Sequence, residues 1–161
     1  LNVLSEKNFL GDVFIFGGWY GVLSQLILDD LNLRPRKIYS IDNDPDCEWI
    51  INDVIKDKTI KPITADMVSY EYPVRPITVI NTVTEHITQD QYDIWWNKIP
   101  EKTFFVLQGN NFWDSPDHIR CAHSLVEFKH INNCSGFAGE AQWECPGPSG
   151  EFLRFMVWGI K

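Results

Sequence analysis

The 161 residues are enough for one domain with a proper core and too few for two, and a composition of 44% hydrophobic and 22% charged residues excludes a disordered chain. No apolar run is long enough to span a bilayer and no signal peptide opens the chain, so a cytoplasmic protein with no membrane partner is expected. The net charge of −8, with its 14 basic residues scattered, disfavours nucleic acid as the partner of this domain alone.

Residues 1–10 form a lead-in to a single domain over 1–161, and the chain opens on Leu1 rather than Met, as trimming would leave it. "DVFIFGG" (12–18) is a short apolar run ending in glycine, the pattern of a strand buried on both faces. The helix after it carries Leu23, Leu26, Ile27 and Leu31 as its apolar stripe. "KIYSID" (37–42) is a second strand, followed by Asp44 as an N-cap and Pro45 at the first helical position. Trp49, Ile50 and Val54 supply the expected core face of that helix.

"KPITADM" (61–67) is the third strand, and "VSYEYPVRP" is too short and too rich in proline for a helix. "ITVINT" (77–82), strongly β-branched, is the fourth. Thr88 and Gln91 spell a capping box for a helix that turns Tyr92, Trp95, Trp96 and Ile99 inward. "KTFFVLQ" (102–108) is the fifth strand, and Ser115-Pro116 is expected to start a helix running to about Lys129. "FAGEAQWEC" and "FLRFMVWGIK", around Pro-Gly-Pro-Ser-Gly, read as a terminal antiparallel hairpin. Cys47, Cys121, Cys134 and Cys145 contain no C-x-x-C pair and fit reduced thiols. Cys121, His123 and Cys134 lack the second close pair of a zinc site, so no metal is expected.

Alternation of strand and helix predicts an α/β, mostly parallel sheet with helices on both faces, whose ligands sit at the carboxyl ends of the strands. The residues at those ends therefore carry the functional reading. Gly17-Gly18-Trp19-Tyr20-Gly21 follows strand 1, where glycines admit a ligand to the backbone and the next helix offers free N–H groups. Asp42 ends strand 2, 25 residues after Gly17, where a carboxylate can accept both hydroxyls of a ribose. Asp66 and Met67 follow 24 residues later, an acceptor for an adenine amino group beside an apolar cover for the ring. Together these point to an adenosine-type ligand.

The glycine loop, "SIDNDP", "TADM", "VINT" and the closing hairpin, in that order, resemble the class I S-adenosylmethionine-dependent methyltransferases. Within that family the chain looks most like the small methyltransferase-like proteins of bacteriophages. The resemblance implies a Rossmann-like, doubly wound seven-stranded sheet of order 3-2-1-4-5-7-6, with S-adenosylmethionine as cofactor. It places Gly17, Gly18 and Gly21, with Tyr20 in the same loop, along the methionine and ribose of the cofactor. Asp42 would bind the ribose, Asn43 would lie by the adenine, Asp66 and Met67 would hold the base, and Asn81 would meet the methionine amino group or face the substrate. The family loop commonly reads acidic-x-Gly-x-Gly-x-Gly. Here Ile15 stands at the acidic position and Trp19 at the middle glycine.

Methyl transfer needs alignment more than covalent help, and a base only where the acceptor must lose a proton. "NTVTEH" puts Glu85 and His86 where such a base would sit, and histidine as a residue type suits the task. Asn81-Thr82-Val83-Thr84 lacks the prolines common in amino-methylating nucleic-acid enzymes, so a small molecule or a protein is favoured as acceptor. "QGNNFWD" offers Asn110, Asn111 and Trp113 as substrate contacts. Two other readings stand beside this one. A cofactor-binding or vestigial domain without its own catalysis fits the short decorations around the sheet. A nicotinamide oxidoreductase fits less well, since Phe16 occupies the first glycine of G-x-G-x-x-G.

Overall fold

The computed structural model describes Leu4 and residues 10–134, 138–148 and 150–161, so most of the expected lead-in lies outside the described residues. Seven strands form one sheet in the order β3-β2-β1-β4-β5-β7-β6. They are β1 (Gly11–Phe16), β2 (Pro35–Asp42), β3 (Ile60–Thr64), β4 (Thr78–Asn81), β5 (Phe104–Asn110), β6 (Gly139–Gly147) and β7 (Gly150–Ile160). The first five pair in parallel, while β7 runs antiparallel to both β5 and β6. The expected fold class, strand order and terminal hairpin are those observed. Every residue of β1 and β4 is buried, as a central strand covered on both faces requires. At the edge, β6 carries Glu140, Glu144 and Pro146, residues that discourage a further strand from pairing.

The helices are α1 (Val22–Asp29), α2 (Pro45–Ile50), α3 (Gln89–Lys98) and α4 (Leu125–Ile131), and α2 continues into one π turn over Ile51–Ile55. Alternate residues of the strands inside the β6 edge face two separate cores. On one side Phe14, Phe16, Val79, Phe105 and Leu107 meet Tyr92, Trp95, Trp96 and Ile99 of α3 and Phe128 of α4. Burying such large aromatic side chains contributes about 2 kcal/mol or more apiece, which makes this face the stronger half of the core. Between β3 and β4, Tyr70 and Tyr72 set their rings edge-on against Phe16, at centroid distances of 5.8 and 6.1 Å, and cover the sheet without a helix. On the other side Val13, Ile15, Ile38, Ile80 and Val106 meet Ile27 of α1 and Ile51.

Both caps foreseen from sequence form. Asp44 accepts the Asp46 N–H at 2.9 Å, and the Thr88–Gln91 box closes in both directions. Three other expectations are corrected. In α1 the buried residues are Ser24 and Ile27; Leu26 is exposed, and Leu31, beyond the helix end, is 91% exposed. In α2 Cys47 and Ile51 face inward, one helical turn apart, which turns Trp49 (65% exposed) to solvent, and the π turn breaks the helical phase before the exposed Val54. The helix expected from Ser115 is confined to Leu125–Ile131, with Ser124 as its cap. The preceding segment is instead tied to β4's trailing turn, where the Ile119 and Arg120 N–H groups both donate to the Glu85 carbonyl at 2.9 and 3.0 Å. All four cysteines are free thiols, and among the described residues no helix is long and apolar enough to cross a membrane.

Candidate functional site

A cleft of about 450 Å³ opens at the carboxyl ends of the parallel strands, within the size range of cofactor pockets. Its lining collects Gly17 after β1, Ile41 and Asp42 of β2 with Asn43 just after it, and Ala65, Asp66 and Met67 after β3. Val83, His86 and Ile87 after β4 and Asp117 after β5 complete it. Six residues singled out from sequence thus share one cavity: Gly17, Asp42, Asn43, Asp66, Met67 and His86.

The glycine loop owes its shape to backbone conformation. Gly17 and Gly21 have φ of +72° and +77°, values that glycine adopts without steric cost. Trp19, at the middle glycine's place, keeps a left-handed backbone with φ of +45°. The ring lies outside the cleft lining, exposed and stacked on Tyr20 at 4.4 Å. Gly18 donates its N–H to the Ile41 carbonyl at 3.0 Å, and a Cβ there would strike the Ser40 hydroxyl. Gly18, Tyr20 and Gly21 shape the loop without lining the cleft. Ile15, at the missing acidic position, is fully buried in the core.

These conformations predict opposite outcomes at two neighbouring positions. Gly17→Ala is expected to lose about 2 kcal/mol, because the new methyl meets Val83 at a left-handed φ. Trp19→Gly relieves left-handed strain of about 1 kcal/mol but gives up the ring stacking and loosens the unfolded chain, by about 0.5–1 kcal/mol each. Its net change is expected to stay within about 1 kcal/mol. Urea unfolding of both variants checks the pair, and a Trp19→Gly loss larger than that of Gly17→Ala would refute the account.

Asp42 is built into this loop. Its Oδ2 accepts the Trp19 N–H at 2.9 Å and its Oδ1 the Asp44 N–H at 3.2 Å. Since a carboxylate offers about four lone-pair sites, it can hold both amides and still accept two ligand hydroxyls. Asp66 accepts the Val68 N–H at 2.8 Å, which fixes the turn carrying Met67. Asn81 is wholly buried, its Oδ1 accepting from Val83 N–H at 2.9 Å and its Nδ2 reaching the Met67 sulfur at 4.0 Å. It supports Met67 and the turn after β4 and does not line the cleft.

At the other end of the cleft, Glu85 lies behind His86 and is only 3% exposed. Burial pushes its carboxyl above the usual carboxylate range, against the opposing pull of His86, His118 and Arg154. Glu85 Oε1 accepts from Asn110 Nδ2 at 2.5 Å. Asn110 is itself buried, and Asn111 Oδ1 accepts the Leu153 N–H at 2.6 Å, tying β5 to β7. Trp113 is exposed and stacks on His123 at 5.2 Å. Asn110, Asn111 and Trp113 therefore stand outside the cleft lining. His118 and Asp117 were not singled out from sequence. They belong to a loop more than 30 residues beyond His86 in the chain, and only the histidine–acid pair "DH" at 117–118 could have drawn attention to it.

No family model matches the chain, and no curated protein sequence does. Solved structures do. N-methyltransferase NodS from Bradyrhizobium japonicum WM9 superposes with a TM-score of 0.75 at 9% identity, over 99% of this chain and 92% of that one. The YcgJ protein from Bacillus subtilis gives 0.74 at 10% identity, over 99% and 97%. This chain has the class I methyltransferase fold. Spermidine synthase from Thermotoga maritima also matches, with a TM-score of 0.63 at 15% identity, over 98% of this chain and 56% of that one. The class I fold thus serves proteins named for different reactions, so the reaction has to be argued from the site.

Proposed function

We propose that the chain binds S-adenosylmethionine and transfers its methyl group to an acceptor. One observation carries the reading: Gly17, Asp42, Asn43, Asp66 and Met67, drawn from three successive strand ends, line one cleft that His86 closes at the far side. The residues fit the cofactor. Asp42 has acceptor capacity to spare for a ribose, and Asp66 and Met67 pair an acceptor with an apolar surface for a base. Ile15 cannot receive the cofactor's ammonium, which leaves that group to backbone carbonyls of the glycine loop.

S-adenosylmethionine would supply a methyl already activated on a sulfonium. The chain's task is to hold it, to exclude water and to line up the acceptor, gains that come from proximity. His86, on the cleft lining, is placed to take a proton from an incoming hydroxyl or amine, with Asp117 Oδ2 holding its Nδ1 at 3.1 Å. The negative net charge favours a small molecule or a protein as acceptor over nucleic acid. The finer likeness to bacteriophage proteins rests on the sequence reading alone.

A second reading, cofactor binding without catalysis by this chain, draws on the acceptor side. Asn110 Nδ2 and Oδ1, Asn111 Oδ1 and Glu85 Oε1 are engaged within the fold. Calorimetric titration with S-adenosylmethionine and S-adenosylhomocysteine tests both. One equivalent of each is expected to bind. Absence of heat from either overturns the cofactor assignment, whereas binding without turnover on pooled small molecules and proteins favours the second reading.

A further inference from the structure

Beside Asp117, three side chains converge that the methyl-transfer reading uses only in part. One donor atom each of Glu85, His86 and His118 lie within 4.8 Å of one another. Glu85 Oε2 is fully buried and has no hydrogen-bond partner among the described residues, a polar atom whose desolvation no hydrogen bond offsets. The two imidazoles meet at a centroid distance of 4.8 Å and are held as metal ligands are held. His118 Nδ1 donates to the Phe112 carbonyl at 2.7 Å, and a carbonyl can only accept, so in the neutral ring it is Nε2 that carries the lone pair. His86 Nδ1 meets the Asp117 carboxylate at 3.1 Å, which selects the same tautomer.

We propose that Glu85, His86 and His118 form a binding site for a divalent transition-metal ion at the acceptor end of the cleft. Two imidazoles with one carboxylate suit manganese, iron, cobalt or zinc better than the oxygen-seeking magnesium or calcium. Three protein ligands leave further coordination positions for an exogenous oxygen donor. A coordinated His86 Nε2 has no lone pair left for a proton, so metal binding and the base role are alternatives at that ring. The metal site does not depend on the methyl-transfer reading, and its test is independent of cofactor binding.

The full chain, stripped with a chelator and titrated with cobalt(II) alone, is expected to bind one equivalent with visible d–d absorption bands that zinc(II) displaces. His118→Ala should weaken binding by more than the roughly 10- to 100-fold typical of losing an outer partner. Asp117→Asn should fall within that range, and the exposed His130→Ala should have no effect. Circular dichroism establishes that each variant is folded. Proton NMR gives a readout that needs no variant: cobalt(II) should shift and broaden the His86 and His118 ring signals before those of His123 and His130. Absent bands, bands that survive His118→Ala in folded protein, or broadening that begins at His123 or His130 would overturn the site.

Discussion

Asp42→Ala is expected to lower affinity for S-adenosylmethionine by about 100-fold, which corresponds to about 3 kcal/mol. Two effects contribute. Hydrogen bonds to a charged acceptor are worth about 1.5–3 kcal/mol each, and the ribose would lose up to two of them. The loop also loses the acceptor for its Trp19 N–H, so Gly17 at the cleft rim is less firmly placed. Asp42 sits at the edge of the fold, partly exposed, and the melting temperature should change little by comparison. Titration calorimetry beside thermal melting separates the two. Retained affinity in a folded Asp42→Ala protein would show that the ribose does not lie there, and a collapse of melting temperature would make Asp42 a structural residue first.

Arg120→Ala is expected to have the largest effect on stability, about 3–5 kcal/mol. The side chain is buried, and desolvation lowers its pKa from the ordinary value, so its charge is expensive to hold. What holds it is a set of four acceptors. Nε donates to Gln89 Oε1 at 2.8 Å, Nη1 to the Thr84 carbonyl at 3.2 Å, and Nη2 to the Ile131 carbonyl and Asn132 Oδ1 at 2.8 and 2.9 Å. The guanidinium also lies 4.0 Å from the centre of the Tyr92 ring. Truncation would strip these acceptors of their donor inside the protein, the circumstance in which a lost hydrogen bond costs most. For a chain of this size the drop in melting temperature should be about 6–20 °C.

The same residue joins the start of α3, the end of α4 and the turn that carries Glu85 and His86. Arg120→Lys should recover part of the stability, since an ammonium retains the charge but cannot span the same fork of acceptors. A change below about 1 kcal/mol on Arg120→Ala would mean that water replaces the guanidinium readily, and that the acceptors were never sequestered.

The strand-end half of the candidate site was legible because it is local. Strand ends recur at intervals of about 25 residues, and the sheet carries each end to the same edge. Naming Asp42 and Asp66 as the residues at the ends of β2 and β3 therefore amounted to placing them together. Cap chemistry was legible for the same reason: Asp44 with Pro45, and Thr88 with Gln91, satisfy groups within their own turn. Apolar stripes were less reliable. The inward face of α2 is set by Cys47 and Ile51, the π turn then takes Val54 out of phase, and nothing in the spacing of Trp49, Ile50 and Val54 announces either.

The far end of the cleft was hidden because its geometry is made by distant parts of the chain. Ser115-Pro116 carries a local helix-start signal, but Arg120 competes for it. Burying that side chain among acceptors from α3 and α4 draws residues 115–120 onto the turn after β4 and delays the helix to Leu125. This displacement brings His118 to Glu85 and His86. The sequence by itself determined the parallel strands and the residues at their carboxyl ends, because hydrophobic periodicity and glycine placement act over a few residues, while the order of the strands came from the resemblance to a known family. Only the tertiary structure decided which titratable groups meet at the cleft's far end, because the position of that loop follows from satisfying one buried cation with acceptors from three separate elements.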